Sequence, residues 1–341
     1  MPFQASDVIA SAAVNGDANV IACDFATFND NGSKGSKGKK KDPSVVFLKL
    51  KFRTADGKLI PFDMQFSHVI TCSQPKCPYN TDEDTCKYMQ AGFMAITEED
   101  ARRGDYAPRT FEDPDQQETE NTVAAEMSRK IYINTNQFMR VLEILQASLT
   151  AIANRILDEA DSVPFPIEKV LDLGNVKVRR ILQISGVKDG ETVEFDQPYG
   201  RVRYHINPDN RQLEAKQWNK STGTYVFAPN VYDSRSIIED PTNPKLATLF
   251  DKETGEEQYL NTHNAIEFIT RWSRLSGYIK LDSMSLSKQG GISQDLYFNK
   301  LYVARHSPSG EYNETKAELL EMCGDGRHLV ESLSDTISDF A

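Results

Sequence analysis

The sequence predicts an α+β fold: an antiparallel β-barrel core of the oligonucleotide-binding (OB) type, with inserted and flanking helices. Alternating apolar and polar residues predict strands over 45–70 and again over 176–228. An amphipathic stretch between these regions predicts one long helix. Strand regions separated by a helix are typical of α+β folds, and several short antiparallel strands favour a small barrel.

The first strand region is predicted to be a hairpin. In the segment VVFLKLKFR (45–53), apolar residues alternate with basic ones, so the strand has one apolar face and one basic face. An Asp-Gly pair at 56–57 is a strong signal for a tight turn, and a second alternating segment covers 62–70. We therefore expect the apolar face to be buried and the basic side chains to face solvent.

The chain is predicted to have three parts. An N-terminal segment, 1–44, ends in a Lys-rich run of low complexity that predicts a flexible loop. Residues 45–305 are predicted to form a single β-rich binding core, and 306–341 an acidic C-terminal helix and tail. Within the core, 72–125 is acidic and weakly periodic, which predicts an irregular insertion, and 136–158 carries Leu and Ile at helical spacing.

The end of the core is predicted to be a short helix followed by two strands. Apolar residues at helical spacing predict a helix over about 263–275. Alternating segments then predict strands over 278–287 and 295–304, which close the sheet.

Charge is distributed unevenly along the chain. The formal net charge of −11 argues against a nucleic-acid-binding protein, because such proteins gain affinity by neutralising phosphates. Residues 34–53, however, hold eight Lys or Arg against one Asp, whereas 82–120 and 306–341 are strongly acidic. This segregation allows a basic groove on an acidic protein. On charge alone, ordinary variation of the surface remains an equal alternative.

Basic residues alternate along three predicted strands, and aromatic residues lie near them in the sequence. A basic β surface follows the phosphates of a single strand, while aromatic rings stack on its bases. The alternative is that antiparallel strands ordinarily present a polar face to water. The candidate nucleic-acid-binding residues are Lys49, Lys51, Arg53, Lys177, Arg179, Arg201, Arg203, Tyr204, Trp218, Lys220, Tyr225 and Phe227.

One cluster of residues has the composition of a metal site. His68, Cys72, Cys77 and Cys86 supply four ligands that zinc accepts, although the spacing lacks the C-x2-C pair of most zinc knuckles. The alternative is a core histidine and free thiols. Five cysteines and no signal-peptide pattern favour a reducing compartment. Apart from this zinc alternative, no cofactor is predicted.

The sequence contains none of the common catalytic patterns. The five histidines are scattered, and neither an H-E-x-x-H nor a G-x-S-x-G motif occurs. The Gly38-Lys39 pair lacks the spacing of a phosphate loop. No apolar run approaches the roughly 18 residues of a membrane helix. These observations predict a protein that is not an enzyme and has no membrane partner.

Three segments carry a resemblance to a known family. They are the hairpin KLKFRTADGKLIPFDMQF (49–66), the basic strand GNVKVRRILQI (174–184) and the helix-strand-loop-strand unit over 264–303. They resemble the single-stranded-DNA-binding proteins of nucleocytoplasmic large DNA viruses, of the African swine fever virus type. The similarity covers residues 45–71, 135–190 and 260–305. The cysteine-bearing insertion, the Lys-rich loop and the extended C-terminus depart from that pattern.

The resemblance implies an OB-type core that binds single-stranded DNA without strong sequence preference, in viral DNA replication, repair or packaging. It implies a location in the host cytoplasm, at virus factories, or in the nucleus, and packaging in the virion is left open. RNA binding, self-association and partner proteins of replication or the virion are also left open. The alternative function is that of a structural or assembly protein of a virus particle, which suits the overall acidity.

Overall fold

The structure is a computed structural model. It describes residues 2–30, 45–78, 81–102, 114–159, 163–165, 167–188, 191–219, 221–222, 224–234, 236, 243–250 and 255–304. Only the backbone is described for 26–30, 114–120, 186–188, 191–193 and 218. The Lys-rich run at 34–41, Lys220 and the predicted acidic tail, 306–341, lie outside these residues.

The strands are β1 (Phe3–Gln4), β2 (Ile21–Asp30), β3 (Val45–Arg53), β4 (Leu59–Ile60), β5 (Phe62–Ile70), β6 (Ser73–Lys76), β7 (Tyr88–Phe93), β8 (Leu182–Lys188), β9 (Glu191–His205), β10 (Glu214–Asn219), β11 (Thr224–Pro229), β12 (Val231–Asp233), β13 (Thr248–Phe250), β14 (Glu257–Tyr259), β15 (Arg274–Ser287) and β16 (Gly291–Ala304). The helices are α1 (Ala5–Asn15), α2 (Glu98–Arg102), α3 (Pro114–Asp158), α4 (Ile167–Val170) and α5 (Ala265–Phe268), with a 3-10 turn at Asp17–Asn19.

Twelve of these strands form one mixed sheet. Its main order is β1-β5-β15-β16-β9-β7-β6. Strand β3 lies beside β15 and carries β2 and β4, while β8 pairs with β9 and β12 pairs with β16. The pairs β1–β5, β12–β16 and β16–β9 are parallel, whereas β15 is antiparallel to β3, β5 and β16. The N-terminal strands β1 and β2 therefore belong to the same sheet as the rest of the core.

The predicted OB-type barrel is wrong, because this sheet stays open. A barrel closes only when its first and last strands pair. Among the described residues, β1 and β6 lie at opposite ends of the strand order. Instead of curling onto itself, the sheet covers its apolar face with α3, whose side chains belong to the same buried core as those of the sheet. The fold is mixed α/β and consists mostly of sheet.

Helix α3 is longer than the sequence predicted. It has 45 residues and begins at Pro114, a residue that suits a first helical position because its missing N–H has no helical partner there. Its buried residues Val123, Met127 and Ile131 extend the stripe predicted over 136–158 by nearly four further turns. Among the helices of the described segments, none is both long and apolar enough to cross a bilayer.

Aromatic side chains join α3 to the sheet. The ring of Phe138, on α3, lies 5.1 Å from that of Phe66 on β5 and 5.0 Å from that of Phe93 on β7. Phe298, on β16, lies 6.0 Å from Phe66 and 4.7 Å from Tyr204 on β9. One cluster of rings therefore contacts the helix and four strands, and it fixes where the helix crosses the sheet.

Polar side chains of α3 also bind the ends of strands. Ser148 accepts a hydrogen bond from the N–H of Ile21 at 3.1 Å, where β2 begins. Gln146 accepts from the N–H groups of Ile181 at 2.7 Å and Leu182 at 3.2 Å, where β8 begins. These bonds satisfy backbone groups that burial would otherwise leave without partners.

The predicted helix over 263–275 is mostly absent. Only α5 is helical, and Trp272 adopts a positive φ of 72°. The N–H of Trp272 donates to the carbonyl of Thr71 at 2.8 Å, which aligns the chain with β5, and β15 begins two residues later. Pairing with the sheet thus overrides the helical pattern. The two predicted closing strands are present as β15 and β16.

Gly277 lies where the backbone of β15 closely approaches that of β16. Its φ is +150°, and a methyl group at its Cα would overlap the carbonyl oxygen of Lys300. We expect Gly277→Ala to lower the free energy of unfolding by roughly 2 kcal/mol or more, because it combines backbone strain with overpacking. Denaturant unfolding measures this effect. Gly174→Ala is the control, since its methyl group would lie 3.6 Å from Oδ1 of Asp172, an ordinary van der Waals contact. Equal effects of both substitutions would contradict the prediction.

His68, predicted as a metal ligand, lies in the core. It is 2 % exposed with a φ of 53°, and neither ring nitrogen has a hydrogen-bond partner. Burial lowers its pKa well below the usual value near 6.5, and the charges of Arg274 and Lys130 lower it further. The folded protein therefore keeps this imidazole neutral at a pH where the unfolded chain already binds a proton.

This difference predicts instability towards acid. The contribution of His68 to stability is present above pH 6.5 and is lost as the pH falls below that value, by up to about 1.4 kcal/mol per pH unit for one proton. His68→Asn should weaken this pH dependence, because Asn tolerates a positive φ and does not titrate. Urea unfolding between pH 7 and 5 tests it, with the parent protein as the reference. An unchanged pH dependence in His68→Asn would contradict the prediction.

Candidate nucleic-acid interface

A cleft of about 820 Å³ opens beside β7, β8 and β9. Strand β9 pairs with β8 along its first part and with β7 along its last part, and Gly200 pairs with both. The lining residues come from these strands and from the segments that precede β7 and β8. They are Pro78, Thr81, Thr85, Lys87, Tyr88, Gln90, Val178, Arg179, Arg180, Leu182, Gln183, Ile184, Ser185, Arg201 and Arg203.

The cleft carries a strong positive charge. Among the described residues that line it, none is Asp or Glu. The basic lining residues are Lys87, Arg179, Arg180, Arg201 and Arg203. A concave surface lined by one sign of charge concentrates its field and attracts ligands of the opposite charge. The local field is therefore opposite in sign to the net charge of the chain.

Arg201 is a half-buried cation that has no carboxylate partner among the described residues. Its guanidinium donates to the side-chain oxygen of Gln183 and lies 5.8 Å from the centre of the Tyr199 ring. Burial lowers the pKa of Arg201 from its usual value. Within the described segments it forms no ion pair. A partly desolvated charge of this kind is stabilised when an anion binds to it.

Tyr88 lies between two other arginines of the cleft. The guanidinium of Arg203 lies over the Tyr88 ring at 4.4 Å from its centre. Arg179 donates to the Tyr88 hydroxyl at 3.3 Å. The ring thereby positions cations that come from β9 and from the segment before β8. The cation–π contact involves the face of the Arg203 guanidinium and uses none of its N–H groups.

Arg203 differs from Arg201 because it has an acidic partner. It donates to Asp295 at 3.1 Å, and the other carboxylate oxygen of Asp295 lies 3.0 Å from Nε2 of His205. Burial raises the pKa of Asp295, but the hydrogen bonds and charges of His205 and Arg203 outweigh it and bring the pKa to about 2. Asp295 is therefore ionised at neutral pH and partly neutralises Arg203.

The basic residues of β3, which are Lys49, Lys51 and Arg53, form a row on the same sheet face as Arg203. Lys49 pairs with Ser283 of β15, so the two side chains point to the same side. Ser285, two residues further along β15, points to the same side and pairs with Ser293 of β16. Arg203 donates to the Ser293 hydroxyl at 3.4 Å. The sequence therefore identified the correct face for the side chains of this row.

The β3 residues nevertheless do not line the cleft. Two strands, β15 and β16, lie between β3 and β9. The distance from β3 to β9 is therefore three inter-strand spacings, or roughly 14 Å. Of the row, Lys49 is exposed, Lys51 is half-buried, and Arg53 donates to the carbonyl of Asn19 at 3.2 Å. Lys177 is exposed and directly precedes Val178 of the cleft wall. The predicted single groove is thus a cleft with a separate basic row on the same face.

Tyr204 is not a surface residue, contrary to the sequence prediction. It is 1 % exposed and packs against Phe298. Burial raises the pKa of its hydroxyl above the usual value. Successive residues of a strand point to opposite faces, so Arg203 on the outer face places Tyr204 in the core.

The other predicted aromatic residues lie on a separate hairpin, β10–β11. Its register places Lys216 opposite Phe227, and residue 218 opposite Tyr225, all on one face. The Lys216 amino group lies 4.0 Å from the centre of the Tyr225 ring, which is 54 % exposed. The structure describes only the backbone of Trp218. The hairpin therefore presents an exposed aromatic residue and a cation together.

Three basic or aromatic residues of the cleft, Lys87, Tyr88 and Arg180, are absent from the sequence prediction. Lys87 and Tyr88 lie in the acidic segment that was predicted to be an irregular insertion, where the surrounding carboxylates hid them. The available signal was the alternation of Tyr88 and Gln90 with the apolar Met89, Ala91 and Phe93, which is typical of a strand that Lys87 directly precedes. Arg180 directly follows Arg179, so the alternation of a regular strand assigns it to the opposite face from Arg179.

The predicted zinc ligands do not come together. Cys77 and Cys86 form a disulfide, while Cys72 is a free thiol whose pKa burial raises to about 11. Over the described ranges, no group of three or more His, Cys, Asp or Glu is placed to hold a metal ion. The sequence spacing did not reveal this pairing of cysteines.

No model of a known protein family matches the chain. No curated protein matches it in sequence either. The ligand of the cleft is therefore inferred from its own charge, shape and contacts.

The disulfide leads to a prediction about metal content. We expect purified protein to contain far less than one zinc per chain, because a disulfide sulfur is not a thiolate ligand. Elemental analysis measures this, and a chelator should leave the melting temperature unchanged. Stoichiometric zinc, with melting that shifts on chelation, would contradict the prediction and restore the zinc hypothesis.

Proposed function

We propose that the protein binds single-stranded nucleic acid, DNA in the first instance, along the basic cleft and without strong sequence preference. One observation carries the proposal: the cleft presents five cations and, among its described lining residues, no carboxylate. Phosphates provide the negative charge that such a site lacks, and their neutralisation supplies most of the affinity of sequence-independent binding. The proposed role is that of a binding protein without a catalytic step.

The apolar part of the cleft favours an unpaired strand. Val178, Leu182 and Ile184 lie among the arginines, and Ile184 is 53 % exposed. The bases of a single strand expose faces that pack against apolar and aromatic groups, whereas a duplex keeps its bases stacked inside. A surface that alternates cations with apolar side chains therefore suits single strands better than duplex.

The β10–β11 hairpin is the proposed second contact. Arg211 lies in the segment before β10, and its guanidinium donates to the carbonyl of Glu83 and approaches the Cys86 sulfur at 3.6 Å. Glu83 belongs to the segment that forms one wall of the cleft, so the base of the hairpin is adjacent to the cleft. Exposed Tyr225, with Lys216 above its ring, is suited to stack on a base.

The family resemblance supports the same class of ligand. It adds to the proposal a role in viral DNA replication, repair or packaging, at virus factories in the host cytoplasm or in the nucleus. RNA as a second ligand, self-association, and partner proteins of replication or the virion remain parts of the proposal to be tested.

The salt dependence of binding is the most direct test. Each phosphate contact to a single strand contributes about −0.7 to the slope of log affinity against log salt. The double variant Arg179→Gln/Arg201→Gln should therefore make this slope shallower by about 1.4. Fluorescence titration with labelled oligo-dT at several salt concentrations measures it, with oligo-U and duplex DNA as competing ligands.

Two variants serve as controls. Arg102→Gln removes one exposed guanidinium from α2, outside the cleft, and should leave the slope unchanged. Lys49→Gln/Lys51→Gln removes two charges from the separate row on β3, and we expect it to change the slope less than the cleft variant does. Unchanged binding by a folded Arg179→Gln/Arg201→Gln protein would refute the proposal. Absence of any salt-sensitive binding would favour the virion-structural alternative.

A further inference from the structure

The Cys77–Cys86 disulfide closes one wall of the cleft. The two cysteines are nine residues apart in sequence, and the segment between them joins β6 to β7. Pro78, Thr81 and Thr85 of this segment line the cleft. Any change in the conformation of the segment therefore changes the shape of the binding surface.

The same segment carries three consecutive carboxylates. Asp82, Glu83 and Asp84 stand between the two threonines that line the cleft. They form a tight turn, in which the N–H of Cys86 donates to the Asp82 carbonyl at 2.9 Å. This acidic turn, 82–84, is thus within a few residues of a cleft that otherwise carries only positive charge.

Contacts from outside the cleft hold the acidic turn. The two ring nitrogens of His263 lie 3.2 Å from a carboxylate oxygen of Glu83 and 3.2 Å from one of Asp84. Arg211 donates to the Glu83 carbonyl and lies 3.6 Å from the Cys86 sulfur. Neither His263 nor Arg211 lines the cleft. His263 and Arg211 therefore compete with the cleft arginines for the acidic turn.

We propose that the Cys77–Cys86 disulfide is a redox switch that keeps the acidic turn out of the cleft. This inference rests on the proposed function. In the oxidised protein the cleft is open to phosphates. After reduction the segment gains conformational freedom, because the covalent restraint at both of its ends is lost. The carboxylates of the turn then pair with the cleft arginines, which bind carboxylate and phosphate in the same way, and they weaken nucleic-acid binding.

A dithiol supplies the two electrons and two protons of this reduction. Cys77 is partly exposed whereas Cys86 is fully buried, so a thiolate of the reductant attacks the Cys77 sulfur. The Cys77–Cys86 bond breaks, and Cys86 leaves as a thiolate beside the guanidinium of Arg211. The second thiol of the reductant then attacks the mixed disulfide and releases Cys77, and the reductant ends as a disulfide. In a reducing compartment a disulfide does not persist unless it is regulated or transient.

The test compares oligo-dT binding by the oxidised protein and by protein reduced with dithiothreitol. Alkylation and mass spectrometry establish the state of the cysteines in each sample. We expect the reduced protein to bind roughly 5- to 150-fold more weakly, the usual range for two coupled states. Cys77→Ser/Cys86→Ser should behave as the reduced form without reductant. Cys72→Ser, which removes a neighbouring free thiol, should keep the response of the parent protein.

Neutralising the turn separates the switch from simple loss of structure. Asp82→Asn/Glu83→Gln/Asp84→Asn, added to the double serine variant, should restore the affinity of the oxidised protein. If it does not, the effect of reduction is structural and the switch is refuted. Equal binding by oxidised and reduced protein, with Arg179→Gln/Arg201→Gln still weaker, would overturn the switch and leave the proposed function standing. If neither redox form binds oligo-dT, the proposed function fails as well.

Discussion

The burial of the apolar stripe of α3 against one face of the twelve-stranded sheet is the contact on which the rest of the structure depends. The sheet is covered on that face, so it has no need to close into a barrel to hide apolar residues. Each strand must then turn its polar residues to the opposite face. On β9 this rule buries Val202 and Tyr204 and leaves Arg201 and Arg203 facing outwards. The cleft is thus a consequence of the same packing that stabilises the core.

The outward face is not uniformly basic, and its differences decide what the cleft can do. Asp295 neutralises part of the charge of Arg203 and fixes its position with the help of His205. Arg201 is held by a neutral amide instead, so its charge is available to an anion. The cleft thus combines Arg203, a cation held in position by a carboxylate, with Arg201, a cation whose charge no carboxylate among the described residues neutralises. Phosphate binding needs both, because a fixed geometry lowers the entropy lost when the ligand binds.

The acidic turn at 82–84 lies beside this positively charged cleft. Its contacts explain why its carboxylates do not neutralise the cleft. His263 and Arg211 bind the turn at 82–84 from outside, and the disulfide restrains both ends of the segment. The overall charge of −11 therefore says little about the cleft, since the charges nearest to a ligand dominate at a Debye length of about 8–10 Å.

The sequence by itself determined the local patterns: the helical stripe of α3, the β15 and β16 strands, and the face of β3 that carries Lys49. These follow from periodicities of 3.6 and 2, which each segment carries within itself. Only the tertiary structure decided that the sheet stays open, that Tyr88 joins Arg179 and Arg203, and that Cys77 pairs with Cys86. Such contacts join segments distant in sequence or depend on how a loop folds back, and no local periodicity records them. The sequence predicted Arg179 of the VKVRR segment as a binding residue but not Arg180, and the assembly of the cleft depends on how β9 pairs with both β8 and β7.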